Sequence, residues 1–322
     1  MKRMIWLLAA LLLMLPAAAA WAREPVKATI ALNWVPEPEF GRIYAAQQTG
    51  AYDRYGLAVT IQPGGAGAPT WQMVASGKVD FAVASADEVI LAREKGADIQ
   101  AIFTTYQTCP QGLMTHASRG LKSIDQIFQQ PGSLAVEPGL PYVKYLKGKY
   151  SFDKLKVVSF DGGIGNFLAD KNFTQQCFVF SEPLAAKKAG GDPQVFLIAD
   201  AGYNPYTGVI ITTTKMIRQN ADVVGAMTGA LTEGWLAYLK DPKPANDVMG
   251  KLNRTMDAKT FAAAAEAQKP LIESDVTKQN RVGWMTTERW QELAKQLVDL
   301  KVVTKAPPAE ECFKNPEAVS LR

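Results

Sequence analysis

Apolar runs of four to seven residues recur from Ala28 to Thr214, several closed by proline, asparagine or an acid, and alternate with alanine-rich stretches of helical period. That alternation predicts strands feeding helices, and hence parallel-type α/β sheets. The runs Ala28–Leu32, Leu57–Gln62, Val79–Ala84 and Ile99–Thr105 form a first group. Gly112–His116, Ser133–Glu137, Lys156–Phe160, Cys177–Phe180 and Val195–Ala199 form a second. Val209–Thr214 is β-branched and is expected to return to the first group. Helix signals fall between the strands. Ser85-Ala86-Asp87-Glu88 has the form of a capping box, Ser123 with Gln126 repeats it, and Pro141 suits a first helical turn. Thr70 is a candidate N-cap for a short helix over Trp71–Ser76.

Beyond Lys215 the period becomes helical. Ala221–Leu239 and Ala258–Lys269 are alanine-rich, and Thr287–Leu300 puts Trp290, Leu293, Leu297 and Leu300 on one face. The simplest assembly has two α/β lobes joined by two crossings near 107–116 and 204–212. Residues 23–111 with 210–322 form lobe 1, 112–209 form lobe 2, and the carboxyl-terminal helices lie on lobe 1. Such a pair suits hinge closure around a small molecule.

The amino terminus reads differently. Lys2 and Arg3, the apolar run Met4–Leu15, and Ala20-Trp21-Ala22 have the three parts of a cleaved secretory signal over 1–22, predicting an exported mature chain. Pro16 interrupts the apolar run, which argues against an anchor, and the absence of cysteine near the cleavage point argues against a lipid anchor. Removing Lys2 and Arg3 leaves 33 basic residues against 31 acidic, a net +2 instead of +4. No basic tract exists, so nucleic acid and anionic membranes are poor partners, and a monomer is expected. Cys109, Cys177 and Cys312 fit no zinc spacing. An oxidising compartment permits one disulfide among them, with the pair left open.

Candidate chemistry gathers at strand ends, where open α/β sheets bind ligands. The stretch from Thr29 to Gly56 places Trp34, Glu37 and Glu39 there. Trp34 is either a core residue or a stacking surface, and the two acids either favour a helix N-terminus or accept from a ligand. The glycines of Pro63–Pro69 allow either close backbone approach or a tight turn. Asp87, Tyr106, Glu137, Asp161, Asn166, Glu182 and Tyr206 occupy equivalent ends. Aromatics, amides and acids suit a flat ligand rich in hydrogen-bond donors, or a cation. The single histidine, His116, falls near the first crossing and is expected to be structural. Without a second one no Ser-His-Asp, Cys-His or metal cluster can be built, so neither metal, cofactor nor catalysis is expected.

The segments LNWVPEPEF, GRIYAAQQTGAYDRYGLAV and ASGKVDFAVASADEVILAREKG resemble the superfamily of thiamine-pyrimidine synthases and of periplasmic proteins that bind pyrimidine precursors or alkanesulfonates. The resemblance runs from about Lys27 to Arg218, with Asn-Trp-x-Pro-x-Pro at Asn33 and Gly-Lys-Val-Asp at Gly77–Asp80 as its most specific elements. It implies a type II periplasmic-binding-protein fold and delivery of a ligand to an inner-membrane ABC permease. Within it a thiamine-pyrimidine precursor ranks first as ligand, a flavin second and a sulfonate third. Trp34 would stack on the ring, with Glu37, Glu39, Asp87, Glu137 and Glu182 accepting from amino groups and Tyr106, Asn166 and Tyr206 completing the site. The synthase branch is the competing implication. Its lysine, histidine and cysteine cluster have no counterpart here, where the matching positions read Ala84 and Glu88 and Val209–Thr214 holds no cysteine. A sensor lobe for a membrane partner is a further alternative.

Overall fold

The computed structural model describes residues 24–65 and 67–317, so the expected signal segment 1–22 lies outside the described residues. Two five-stranded sheets organise the chain. The first contains β1 (Val26–Ala31), β2 (Leu57–Gln62), β3 (Phe81–Ser85), β4 (Ile99–Phe103) and β10 (Thr207–Thr213), in the order β2-β1-β3-β10-β4. The second contains β5 (Gln111–His116), β6 (Gly132–Val136), β7 (Leu155–Ser159), β8 (Phe173–Phe178) and β9 (Pro193–Leu197), in the order β7-β6-β8-β5-β9. Helices flank both sheets, giving two α/β lobes.

Each sheet has one reversed strand, and it is the strand by which the chain enters from a crossing. β10 is antiparallel to β3 and β4, and β5 is antiparallel to β8 and β9. Register follows from this reversal. Thr207 pairs with Ser85 and Gln111 with Phe178, so the first residue of each reversed strand meets the last residue of a parallel-type neighbour. Those ends therefore gather along one edge of each lobe.

The crossings are residues 104–110 and 198–206, earlier than the 107–116 and 204–212 read from sequence, because β5 and β10 start sooner. Tyr106 and Thr207 bridge the two crossing segments. β8 also starts sooner than expected, at Phe173 instead of Cys177. Its polar run Thr174-Gln175-Gln176 hides a strand whose side chains are buried up to Cys177, with Phe178 half-buried. Thr70 is the first residue of its helix, and Pro69 holds the cap position.

The carboxyl-terminal segments cover the first sheet. Helix Ala221–Lys240 lies against Gly41–Gln48 through small residues: a Cβ on Gly234 would sit 2.3 Å from the Arg42 carbonyl oxygen. Helix Thr287–Asp299 buries Trp290, Leu293 and Leu297 on its apolar face, and the Trp290 ring stacks on Phe313 at 5.5 Å. Helix Ala258–Ala267 also reaches across to lobe 2, where Asp257 at its N-cap pairs with Lys188. No helix among the described residues is long and apolar enough to cross a membrane.

Candidate ligand-binding cleft

A cavity of about 270 Å³ lies between the gathered strand ends, lined by residues of both lobes and both crossings. From lobe 1 come Asn33, Trp34, Glu37 and Glu39 after β1, and Ser85, Asp87 and Glu88 after β3. From lobe 2 come Glu137 after β6, Tyr142 on the next helix, Gln176 and Cys177 on β8, and Ser181 and Glu182 beyond it. The crossings add Cys109, Tyr203 and Pro205. Six carboxyl groups line this space and no lysine, arginine or histidine does.

Local sequence explains how the acids are held. After Trp34 the chain turns through Pro36 and Pro38 into the short 3₁₀ helix Pro38–Phe40, so Glu37 and Glu39 are presented from a stiff turn. The loop after β2 covers that turn closely. The Gly64 N–H donates to the Trp34 carbonyl at 3.1 Å, and a Cβ there would meet the Leu32 carbonyl oxygen at 2.0 Å. Close backbone approach, left open in the sequence, is therefore the reason for glycine at this position. After β3 the capping box forms: the Ser85 N–H donates to Glu88 Oε2 at 2.9 Å. Asp87 accepts from the Glu88 N–H at 3.0 Å, from the Ser85 hydroxyl, and from the Tyr203 hydroxyl at 2.9 Å. After β8, Glu182 accepts from the Phe178 N–H at 2.8 Å.

One hydrogen bond spans the mouth. The Ser181 hydroxyl donates to Glu37 Oε2 at 3.2 Å, and Trp34 lies beside the same carboxyl. Trp34 is half-buried, packed against the first-lobe core and lining the cavity. On the lobe 2 side the Gln176 carbonyl oxygen accepts from the Tyr142 hydroxyl at 2.6 Å and from the Glu137 N–H. Both donors fix the amide, so its NH₂ is oriented by the protein itself.

Electrostatics follow from crowding acids in a dry crevice. Burial pushes Glu39 up to about 8, helped by Glu37 and Glu182 and opposed by Arg42. Burial raises Glu182 to about 7, against the N–H groups of Glu182 and Phe178, with Glu37 adding to the rise. Burial also raises Glu37, partly offset by Ser181 and Trp34, and raises Glu88, where Asp87 contributes. Asn33 Oδ1 is buried with no hydrogen-bond partner. The arrangement can hold a flat ring against an indole and accept hydrogen bonds from several sides. It offers no base of histidine or lysine type to abstract a proton.

The cavity brings together Trp34, Glu37, Glu39, Asp87, Glu137 and Glu182, and leaves three candidates elsewhere. Tyr106 turns into the first-lobe core, where its hydroxyl donates to Gln268 Oε1 at 2.7 Å and its ring meets Phe180 at 5.5 Å. Gln268 in turn donates to the Pro38 carbonyl at 3.0 Å, so Tyr106 supports the acid-bearing turn from behind. Asn166 is exposed on the short helix after β7, an edge strand, and donates to Asp161 Oδ2 at 3.1 Å. Tyr206 faces the carboxyl-terminal helix: its oxygen accepts from the Thr286 N–H at 3.0 Å and its ring lies under Arg289. His116 is at the far end of β5, not at the crossing. It is buried, stacked on Phe167 at 3.9 Å and held by Asp192 and by the Phe167 carbonyl. The three cysteines are free and buried, with Cys109 and Cys177 on the cavity wall.

Asn33, Glu88, Tyr142, Gln176 and Tyr203 line the cavity without having been singled out as ligand residues from sequence. Glu88 carries a signal as one of the paired carboxylates Asp87/Glu88, but its capping-box position explains it equally well. Gln176 lay outside the apolar run taken as β8. Nothing local separates Tyr203 from Tyr206.

Comparison with known proteins places this geometry. The riboflavin-binding protein RibY of Chloroflexus aurantiacus is 22% identical over 275 residues, 81% of this chain and 77% of that protein. The formylaminopyrimidine-binding protein of Halalkalibacterium halodurans is 23% identical over 274 residues, 82% of each. A 4-amino-5-hydroxymethyl-2-methylpyrimidine phosphate synthase of Legionella pneumophila is 30% identical over 101 residues, 31% of this chain and 32% of that one. Among solved structures, the periplasmic aliphatic sulphonate binding protein SsuA of Escherichia coli superposes with a TM-score of 0.69 at 12% identity, covering 92% of this chain and 94% of that one. The fold is therefore that of the periplasmic binding proteins, as the resemblance implied. The family profile described as NMT1/THI5 like matches residues 37–245, and the chain belongs to that family.

Proposed function

We propose that this protein is the exported solute-binding component of an ABC importer, closing its two lobes on a small heterocycle and passing it to a membrane permease. The observation that carries the reading is the cleft itself: an indole and six carboxyl groups converge from both lobes on one cavity. An aminopyrimidine of the thiamine-precursor type fits this chemistry best. Its ring would lie on Trp34, and its amino group would donate to acids of the two lobes such as Glu37 and Glu182. The formylaminopyrimidine-binding relative supports that choice, and the riboflavin-binding relative keeps a flavin second. A sulfonate ranks last, because an anion would meet six carboxyl groups and no cationic side chain in this lining. The protein acts as a monomer, and its signal-like amino terminus directs it to the periplasm.

Native mass spectrometry of protein purified without denaturation, followed by calorimetry with 4-amino-5-hydroxymethyl-2-methylpyrimidine, tests this. A co-purifying heterocycle or saturable one-to-one binding is expected. A co-purifying sulfonate, with no pyrimidine binding, would overturn the ligand assignment.

The partial likeness to a pyrimidine phosphate synthase favours one second reading, an enzyme that builds a pyrimidine. The lining offers neither lysine for a Schiff base nor histidine for proton transfer. Incubation with pyridoxal phosphate and iron(II) should leave neither adduct nor product by mass spectrometry. Either one would restore the enzyme.

A further inference from the structure

Resting on the reading of this cleft as a ligand site, we infer that the ligand enters as a cation and without a phosphate group, and that its positive group sits where Glu37 and Glu39 of lobe 1 face Glu182 of lobe 2.

The first observation is the charge census. Glu39 faces Glu37, Arg42 and Tyr106 from its own lobe and Glu182 from the other. Glu182 faces Glu37, with Cys177 and Tyr142 beside it. Arg42 is the single cation in this group and is not paired with a carboxylate. It lies wholly buried behind the turn, donating to the Glu39 carbonyl at 2.8 Å and the Gly208 carbonyl at 3.1 Å. Of the three carboxyl groups only Glu39 feels this guanidinium, which does not line the cavity.

The second observation concerns helix N-termini, the ordinary anion sites of α/β clefts. The start of Ala86–Glu94 is already occupied by the protein's own acids, with Ser85 N–H donating to Glu88 and Glu88 N–H to Asp87. The start of Glu182–Lys188 is occupied by the Glu182 carboxyl, which takes the Glu182 and Phe178 N–H groups. Pro141–Lys149 opens with a proline, which has no N–H to give. A phosphate or sulfonate would find the donors of the first two helix starts taken and carboxyl oxygens beside them.

The third observation is the orphan acceptor Asn33 Oδ1, buried on a residue of the same wall. Its unmet demand is for a donor. Acid oxygens and a vacant acceptor all ask for N–H groups, and a cation supplies them with the charge that the carboxyls lack.

Closure gives the cation a second task. Bringing Glu182 toward Glu37 and Glu39 crowds carboxyl groups in a buried place, where desolvation first and neighbouring carboxylates second raise Glu39 to about 8 and Glu182 to about 7. A positive group among them removes that repulsion. Its charge thereby favours the closed arrangement in which Ser181 reaches Glu37.

Calorimetry on the mature protein with three molecules that share one ring tests the inference: 4-amino-5-aminomethyl-2-methylpyrimidine, an ammonium at neutral pH; the neutral 5-hydroxymethyl analogue; and the phosphate ester of the latter. The ammonium should bind tighter than the alcohol by on the order of tenfold, and the phosphate should not bind detectably. Glu182→Gln should erase most of the ammonium's advantage over the alcohol. A phosphate that binds as well as the alcohol, or an ammonium with no advantage, overturns the charge inference and leaves the pyrimidine reading standing. If none of the three binds, the pyrimidine reading falls. Thermal shifts with benzamidinium and benzoate, opposite charges on an unrelated ring, then decide the charge question alone. Stabilisation by benzamidinium only supports it; stabilisation by benzoate, or by neither, overturns it.

Discussion

The Arg289 guanidinium lies 4.0 Å from the centroid of the Tyr206 ring, and from that stacked position it holds the backbone of both crossings. It donates to the carbonyls of Asn204 at 2.9 Å and Pro205 at 3.2 Å, to the Asn204 side chain at 2.9 Å, and to the Gln107 carbonyl. Asn204 Oδ1 also receives the Cys109 N–H at 2.8 Å, so the two connecting segments are tied twice. A side chain from the carboxyl-terminal helix thus sets the spacing of the hinge.

Arg289→Lys should therefore cost more than a surface exchange. A lysine keeps the charge but cannot reach both segments with a planar fork. The expected loss is about 1–3 kcal/mol, the range for hydrogen bonds to a charged group. It would be read as a lower urea midpoint at unchanged slope. A midpoint equal to that of the parent protein would show that the crossings hold their spacing without this clamp.

Trp34→Ala addresses the ring-stacking role. The side chain is half-buried on the cavity rim, so its removal should weaken aminopyrimidine binding by about 1–3 kcal/mol, the range for base–aromatic stacking. An unchanged dissociation constant in calorimetry would return Trp34 to the core.

These residues show where the sequence was readable. β1 and the turn after it could be recognised because an apolar run stops at Asn33-Trp34 and two prolines leave the chain few other paths. Glu137 was readable for the same reason, directly after an apolar strand segment, and Glu182 because it follows the apolar run Cys177–Phe180 by way of Ser181. Tyr106 and Tyr206 were not. Each lies on an extended crossing where alternate side chains face opposite ways, and their faces are chosen by Gln268 and Thr286, far along the chain. Gln176 escaped because burial of a polar run in β8 depends on partners such as Tyr142 and Arg119 that pattern alone does not reveal.

The raised carboxyls fix the sign of the pH dependence. Glu39 at about 8 and Glu182 at about 7 bind protons in the folded protein that the unfolded chain has already released above about pH 4.5. Over that window the folded state holds more protons, so stability falls as pH rises. The unliganded protein should lose stability from about pH 5 to about pH 8 and level off above it. Asp192 and Asp257, whose hydrogen bonds hold them below the ordinary carboxyl range, act only in more acidic solution. Urea midpoints at several pH values decide this, and a rise between pH 5 and 8 would contradict the buried-acid assignment. Affinity for the ammonium probe should move the other way and strengthen over the same interval, as the protons it displaces become easier to remove.

Tyr203→Phe isolates the link between cleft and hinge. The hydroxyl lost is the one that donates to Asp87 at 2.9 Å, while the ring beside Tyr145 at 5.2 Å is kept. Asp87 is only 7% exposed, so the unliganded protein loses a donor to a buried carboxyl and should be destabilised by about 1–3 kcal/mol. A ligand amino group placed near Asp87 can supply the missing donor. The stabilisation gained from saturating aminopyrimidine should consequently be larger in the variant than in the parent. Thermal melts of both proteins, with and without the ligand, measure that difference. Equal ligand-induced shifts would mean that Asp87 does not meet the ligand, and the second crossing would then have no direct contact with cleft occupancy through this pair.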